Sequence, residues 1–314
     1  MDPVTFPAAI AEALPSLCLR FGAAGGTPLR PGLPVLAGAV TEDLFPAAQP
    51  AGRSGAFTLA TAPDYLVGHA EAPAGEAIEE SAYALYRELA ELTAGWALAR
   101  VWNTVPRINA PRADGLEFYR AFCSGRARAY EAAWGADFKR RIPAASAVGS
   151  DAEELGVVFV ATRQDVAHVE NPVQVPAYQY PAAYGPRPPS FARATVVALP
   201  GGRRDVFISG TSAIRGYRTL TPGDTARQLA CTVENLQGIG AAAGLGAVLG
   251  APGEVERHVR VYLRHAADLP TVAAVLDRDL LRPTDRVSYV RADICRADLN
   301  VEIELTVFAA AKTE

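Results

Sequence analysis

Apolar residues recur along this chain with two periods, and their order lays out an architecture. Near the C-terminal end Val301, Ile303, Leu305 and Val307 alternate with Asn300, Glu302, Glu304 and Thr306, the period of a strand with one buried face. Two carboxylates therefore share the other face. Like charges at i and i+2 oppose each other's ionisation, so either water bathes both or one of them is used. Upstream, "DYLVGHAEAP" reads as a strand ending at Gly68 and leading through a loop into "EAIEESAYALYRELAELTAG". There Ile78, Ala82, Leu85, Leu89 and Leu92 recur at helical spacing and Gly95 lies just past the end. "ALARVWNTVPRIN" follows as a second strand.

The same order returns later. "VFISGTSAIRG" reads as a strand ending at a glycine turn, and "PGDTARQLACTVENLQGIGAAAG" as a helix with Pro222 and Asp224 at its start. "HVRVYLRHAADLP" is then a strand closing in a proline turn. The likeness of "VRVYLRHAADLP" to "LARVWNTVPRIN" points to an internal duplication of one β-helix-β layout. The expected fold is α+β, with mixed sheets covered by helices, divided into residues 1–150 and 151–314. A linker is expected near 145–155, where "AASAVGSDAEELG" interrupts the periodicity. Residues 1–55, rich in Pro, Gly and Ala, are expected to be extended and packed on the rest, with short strands in "LCLRF" and "LPVLAG".

With 314 residues, half of them hydrophobic, the chain can bury a large core. Its formal charge of −4 offers no general attraction to nucleic acid or to an anionic membrane. The expected partner is a small molecule, and any anion must be held by local arginines. Lys139 and Lys312 are the lysines, which leaves little room for Schiff-base chemistry. Cys18, Cys123, Cys231 and Cys295 are scattered, so neither a disulfide framework nor a zinc site is supported. "MDPVTFPAAIAEAL" lacks the pattern of a signal peptide, and "NLQGIGAAAGLGAVLGAPG" is too glycine-rich to span a membrane. A reduced, cytoplasmic protein is expected.

Between the copies lies "ENPVQVPAYQYPAAYGPRPPSFARAT", where the prolines and tyrosines make a helix nearly impossible and the prolines exclude a central strand. Such a loop, carrying Tyr178, Tyr180 and Tyr184, is either a binding wall or a surface connection. Arg107, Arg126, Arg193 and Arg296 neighbour aromatic or turn residues. Arg193, beside Phe191, suits a carboxylate fork. The candidate site is an arginine-lined, tyrosine-walled pocket with one carboxylic acid, Glu302 or Glu304, at the edge of the second sheet.

Several ordered motifs carry a resemblance. "WNTVPRIN", "YRAFCSGRARAY", "QVPAYQYPAAYGPRPPSFARAT", "FISGTSAIRG" with "RQLACTVENL", and "ICRADLNVEIE" together resemble the chorismatases, enzymes that remove pyruvate from chorismate. The resemblance runs from about residue 60 to the end and implies two RidA-like units. It implies a cofactor-free reaction in which Glu302, the glutamate of the "VEIE" strand, protonates the enolpyruvyl methylene carbon. It also implies binding of the chorismate dianion by Tyr178, Tyr184, Arg193, Arg126 and Arg296. One branch of the family adds water to give a dihydroxycyclohexadiene carboxylate; the other aromatises the ring to 3-hydroxybenzoate. This chain is similar to the aromatising branch in carrying Cys295 seven positions before Glu302. It departs at the glycine turn, "SGTSA", where Ser212 replaces the expected alanine or glycine and becomes a further candidate contact. Cys295 and Glu302 are an odd number of residues apart, so they share a pocket only if the backbone bends near Asp298. The resemblance leaves monomer and trimer open.

Overall fold

The computed structural model describes residues 14–22 and 28–310. A leading segment contributes β1 (Cys18–Arg20), β2 (Val35–Gly38) and β3 (Thr41–Asp43). The first unit follows as β4 (Gln49–Ser54), β5 (Phe57–Ala62), β6 (Tyr65–Pro73), α1 (Ile78–Leu92), β7 (Ala97–Pro106), α2 (Phe118–Trp134), β8 (Ala144–Ser150) and β9 (Glu154–Thr162). The second runs β10 (Val166–Val169), β11 (Ala194–Ala198), β12 (Arg204–Ser212), the short β13 (Ile214–Arg215) and β14 (Arg218–Thr219), α3 (Thr225–Ala242), β15 (Val255–Leu263), α4 (Leu269–Asp279), β16 (Arg286–Arg291) and β17 (Val301–Ala309).

The sheet orders expose the duplication. One sheet runs β4-β5-β6-β9-β7-β8, and the other runs β10-β11-β12-β17-β15-β16 with β2 added at its far edge. In each, one pair is parallel, β7 with β8 and β15 with β16, and the last strand inserts antiparallel at the centre. The sheets face each other. Apolar residues on the outer faces pack against α1 and α2 on one side and α3 and α4 on the other. The seam between the sheets is lined by Val158, Val160, Phe207 and Tyr262, with Leu17, Leu19, Leu29 and Leu33 of the leading segment.

Helix α1 buries Ile78, Ala82, Leu85 and Leu89 as their spacing predicts, and Glu79 and Glu80 sit favourably at its positive end. The Asp224 side chain caps α3 by accepting from the Arg227 amide at 3.0 Å. In α2, a Cβ on Gly125 would lie 2.0 Å from the Glu79 carbonyl oxygen, so the glycine lets the two helices meet.

Three expectations change. The strand through Gly68 continues to Pro73 because β6 pairs with β9 along its whole length. No linker lies at 145–155: that stretch holds most of β8, the turn and the start of β9, and β9 is central to the first sheet, so the first unit closes after Thr162 rather than at 150. Small apolar residues in "AASAVGS" suit a strand buried on both faces, which shows no alternation. The leading segment also belongs partly to the second unit, through β2.

Candidate active site

Strand β17 is buried on both faces, which the alternation of its sequence does not reveal. Val301, Ile303, Leu305 and Val307 join the core under α3 and α4. Glu302 and Glu304 face the seam instead of water, with 3% and 5% of their surface exposed.

The two carboxylates meet different surroundings. Glu304 accepts from Arg100 Nη2 at 2.6 Å, Ser146 Oγ at 2.7 Å and Trp102 Nε1 at 2.8 Å, and pairs with Arg260 Nη1 at 3.0 Å. Among the described residues Glu302 has one side-chain donor, Ser212 Oγ at 3.2 Å. Burial, reinforced by the charge of Glu304, pushes the Glu302 carboxyl up to about 8, against the opposing pull of Ser212, Arg100 and Arg193. At neutral pH Glu302 is therefore mostly a neutral acid.

Room for that acid comes from β12. Its pairing with β17 slips between Ile208 and Thr211, leaving Gly210 against Glu302. A Cβ on Gly210 would fall 2.0 Å from Glu302 Oε1 and 3.0 Å from the Ser146 Cβ. Ser209 secures the bulge by donating from Oγ to the Ala192 carbonyl at 2.6 Å and accepting from the Ala145 amide at 2.8 Å.

In front of Glu302 opens a cavity of about 340 Å³. Tyr119, Tyr180, Tyr184 and Phe191 supply aromatic walls, and Arg193, Arg296 and Cys295 also line it. The cavity lies between the sheets, at the ends of the central strands β12 and β17, rather than at the sheet edge expected from sequence. Arg193 Nη2 donates to the Tyr180 hydroxyl at 2.7 Å, and its guanidinium lies 5.0 Å from the Phe191 ring centre. Arg296 lies 4.2 Å from the ring centre of Tyr184 and donates to Thr219 Oγ1 at 3.2 Å. Arg193 Nε and Arg296 Nη2 are buried without hydrogen-bond partners among the described residues. The nearest carboxylate oxygen to Arg193, on Glu170, is 4.0 Å away, and burial pushes that carboxyl up to about 7. Both guanidiniums thus keep donors free for an anion.

Behind Glu302, a recess of about 30 Å³ is lined by Arg126, Ser146, Tyr119 and Cys295. Arg126 is buried, forms no ion pair among the described residues, and lies 4.8 Å from the Phe122 ring centre. Cys295 reaches the same space because the chain turns between Arg296 and Leu299, whose amide donates back to the Arg296 carbonyl at 3.1 Å. The bend anticipated near Asp298 is thus a turn, and β17 starts only at Val301. Burial pushes the Cys295 thiol up to about 12, with the Glu302 charge adding to it.

The candidates Glu302, Cys295, Tyr184, Arg193, Arg296 and Ser212 therefore line one cavity, and Arg126 lines its recess. Tyr178 does not line it: its side chain packs on the first unit's core, and Tyr180 stands in the wall instead. Sequence reasoning missed Arg100, Trp102 and Ser146, which the first unit contributes around Glu304. A signal existed, since "ARVW" and "VRVY" place Arg100 and Arg260 at matching positions of the repeat.

Residues 44–161 match the family model "Chorismatase FkbO/Hyg5-like, N-terminal". The chain is 41% identical over 256 residues to a chorismatase of Streptomyces rapamycinicus, covering 78% of this chain and 75% of that protein. The chain belongs to the chorismatase family. A 3-hydroxybenzoate synthase of Streptomyces hygroscopicus is 38% identical over 239 residues, covering 71% of this chain and 67% of that protein. A chorismatase crystal structure superposes with a TM-score of 0.76 at 32% identity, covering 96% of both chains. This chain's candidate acid, Glu302, and the neighbouring carboxylate, Glu304, lie on β17, the central strand of the second sheet.

Proposed function

We propose that the protein removes pyruvate from chorismate without a cofactor and releases the ring as 3-hydroxybenzoate. The observation that carries this reading is a buried acid, Glu302, that keeps its proton near neutral pH while facing a cavity in which Arg193 and Arg296 have no carboxylate partner closer than 4.0 Å among the described residues.

Chorismate is a dianion with an enol ether. Arg193 and Arg296 offer free donors to its carboxylates, Arg126 adds a buried positive charge in the recess, and the aromatic walls exclude water from the ring. Glu302 delivers its proton to the enolpyruvyl methylene carbon, making it a methyl group. The ether carbon becomes the keto carbon of pyruvate as the bond from the ring to the ether oxygen breaks. The oxygen of the neighbouring ring hydroxyl bonds to the vacated carbon as its bond to its own ring carbon breaks, and loss of the proton on the newly substituted carbon restores aromaticity and the Glu302 carboxyl. Chorismate divides into 3-hydroxybenzoate and pyruvate with no atom added or left over, so water is not consumed. Cys295, neutral at this pH, sits beside that proton path.

The acid must be protonated to act. Activity is therefore expected to hold below pH 8 and to fall about tenfold per pH unit above it.

The reading is tested by incubating the purified protein with chorismate, without metal or nucleotide, and assaying pyruvate and the ring product by chromatography. Pyruvate with 3-hydroxybenzoate is expected. Pyruvate with a dihydroxycyclohexadiene carboxylate would make the enzyme hydrolytic and remove Cys295 from the mechanism. Neither product would leave a RidA-like binding module. In Cys295→Val the product is expected to shift toward the diene.

A further inference from the structure

We propose that Arg100 and Arg260 are positioning residues that hold Glu304 as a fixed carboxylate beside Glu302, so that Glu302 keeps its proton until substrate takes it. The proposal rests on Glu302 being the acid and concerns what keeps it one.

The cluster is a buried chain of alternating charge. Glu42 on β3 accepts from Arg260 Nε at 3.0 Å and from its Nη2; Arg260 Nη1 pairs with Glu304; Glu304 pairs with Arg100. Ser146 Oγ accepts from Arg100 Nη2 at 2.9 Å and donates to Glu304, and Trp102 Nε1 fills the remaining side. Two carboxylates and two guanidiniums balance, and each carboxylate is engaged at both oxygens. The member that acts most strongly on Glu302 is thus a negative charge held at both oxygens.

A purely structural role fits poorly. Buried ion pairs seldom stabilise more than apolar residues of similar size, and the first unit shows the apolar alternative. There, Trp102 pairs with Val158 and Arg100 with Val160 in β7 and β9. In the second unit, Tyr262 pairs with Glu302 and Arg260 with Glu304 in β15 and β17. The same strand position folds with two valines, so the carboxylate at 304 serves something other than the fold.

Other groups face Glu302 from every side. Ser212 on β12 donates to it; Arg193 and Arg126 bring positive charge from the loop and from α2; Cys295 and Arg296 line the turn before β17; Tyr119, Tyr180 and Tyr184 contribute hydroxyls, and Tyr262 on β15 accepts from Arg260. Ser212, Arg100 and Arg193 favour the ionised form. Burial and Glu304 oppose them.

The test follows the Glu302 proton directly. The carboxylic C=O stretch of Glu302, isolated as the infrared difference between wild type and Glu302→Gln, is titrated with pH. In Glu304→Gln its midpoint is expected about one pH unit or more lower, and the alkaline limb of kcat/KM should move with it, so activity recovers on acidification. An unmoved midpoint, or a rate lowered equally at every pH, overturns the proposal. Should Glu304→Gln fail to fold, Glu42→Gln keeps Glu304 paired with Arg100 while freeing charge on Arg260. It is expected to move the midpoint the same way by less, and no movement overturns the proposal. A midpoint that moves in a protein inactive on chorismate would defeat the proposed reaction and leave this inference standing.

Discussion

The two units share a strand order and differ at one seam. In the second, the central strand β17 presents Glu302 to the open cavity and Glu304 to Arg100, Trp102 and Ser146; in the first, the matching strand β9 presents Val158 and Val160 to the leucines of the leading segment. Beside Val158 remains a gap of about 20 Å³, against about 340 Å³ in front of Glu302. One copy has its cleft filled and the other open. The filled copy still contributes, because Arg100, Trp102 and Ser146 reach across the seam to Glu304. Duplication therefore supplies a second half of the site's electrostatics rather than a second site.

The comparison can be broken at Val158. Val158→Glu would place a carboxylate among Leu19, Leu33 and Trp102, beside an Arg260 already paired with Glu42 and Glu304, costing several kcal/mol out of a typical total of about 5–15. The expected outcome is a large fall in Tm and no second turnover site, read by thermal unfolding and single-turnover pyruvate yield. Unchanged Tm would mean that the first seam is not closed.

A smaller change at the open seam tests its geometry. Gly210→Ala puts a methyl group 2.0 Å from Glu302 Oε1, so the acid must move by about an ångström or more. A loss in kcat of about 100-fold is expected, the scale of a displaced catalytic group, with stability reduced far less than in Val158→Glu. Steady-state kinetics with chorismate would check it.

At the bottom of the scale, Tyr178→Phe removes a hydroxyl outside the cavity and should change kcat/KM by less than about twofold. A tenfold loss would return Tyr178 to the binding wall and displace Tyr180 from it.

Much of this organisation is legible in the chain. Helix α1, the Asp224 cap, the repeated strand-helix-strand order and the aromatic loop all follow from periodicity and turn chemistry, which are local. The closing of the first unit at Thr162 is not local, because "AASAVGS" is a strand only by virtue of being covered on both faces. The alternation of β17 marks a polar face without saying what it meets. Water and a facing sheet that carries Arg100, Trp102 and Ser146 leave the same pattern, and only the second gives Glu302 a retained proton. Tyr178 and Tyr180 illustrate the same limit: in a proline-rich loop with two single-turn helices, neighbouring tyrosines diverge, and no period assigns one of them to the cavity.

The central claim is that Glu302 is the proton donor. Glu302→Gln preserves the shape of the side chain and the Ser212 contact while removing the transferable proton. Pyruvate release by this variant, measured beside chorismate binding by calorimetry, is the most direct measurement. The account predicts a loss in kcat of about 10²–10⁴-fold, the usual worth of a positioned general acid, with affinity for chorismate within a few fold of wild type. Turnover near the wild-type rate would contradict it.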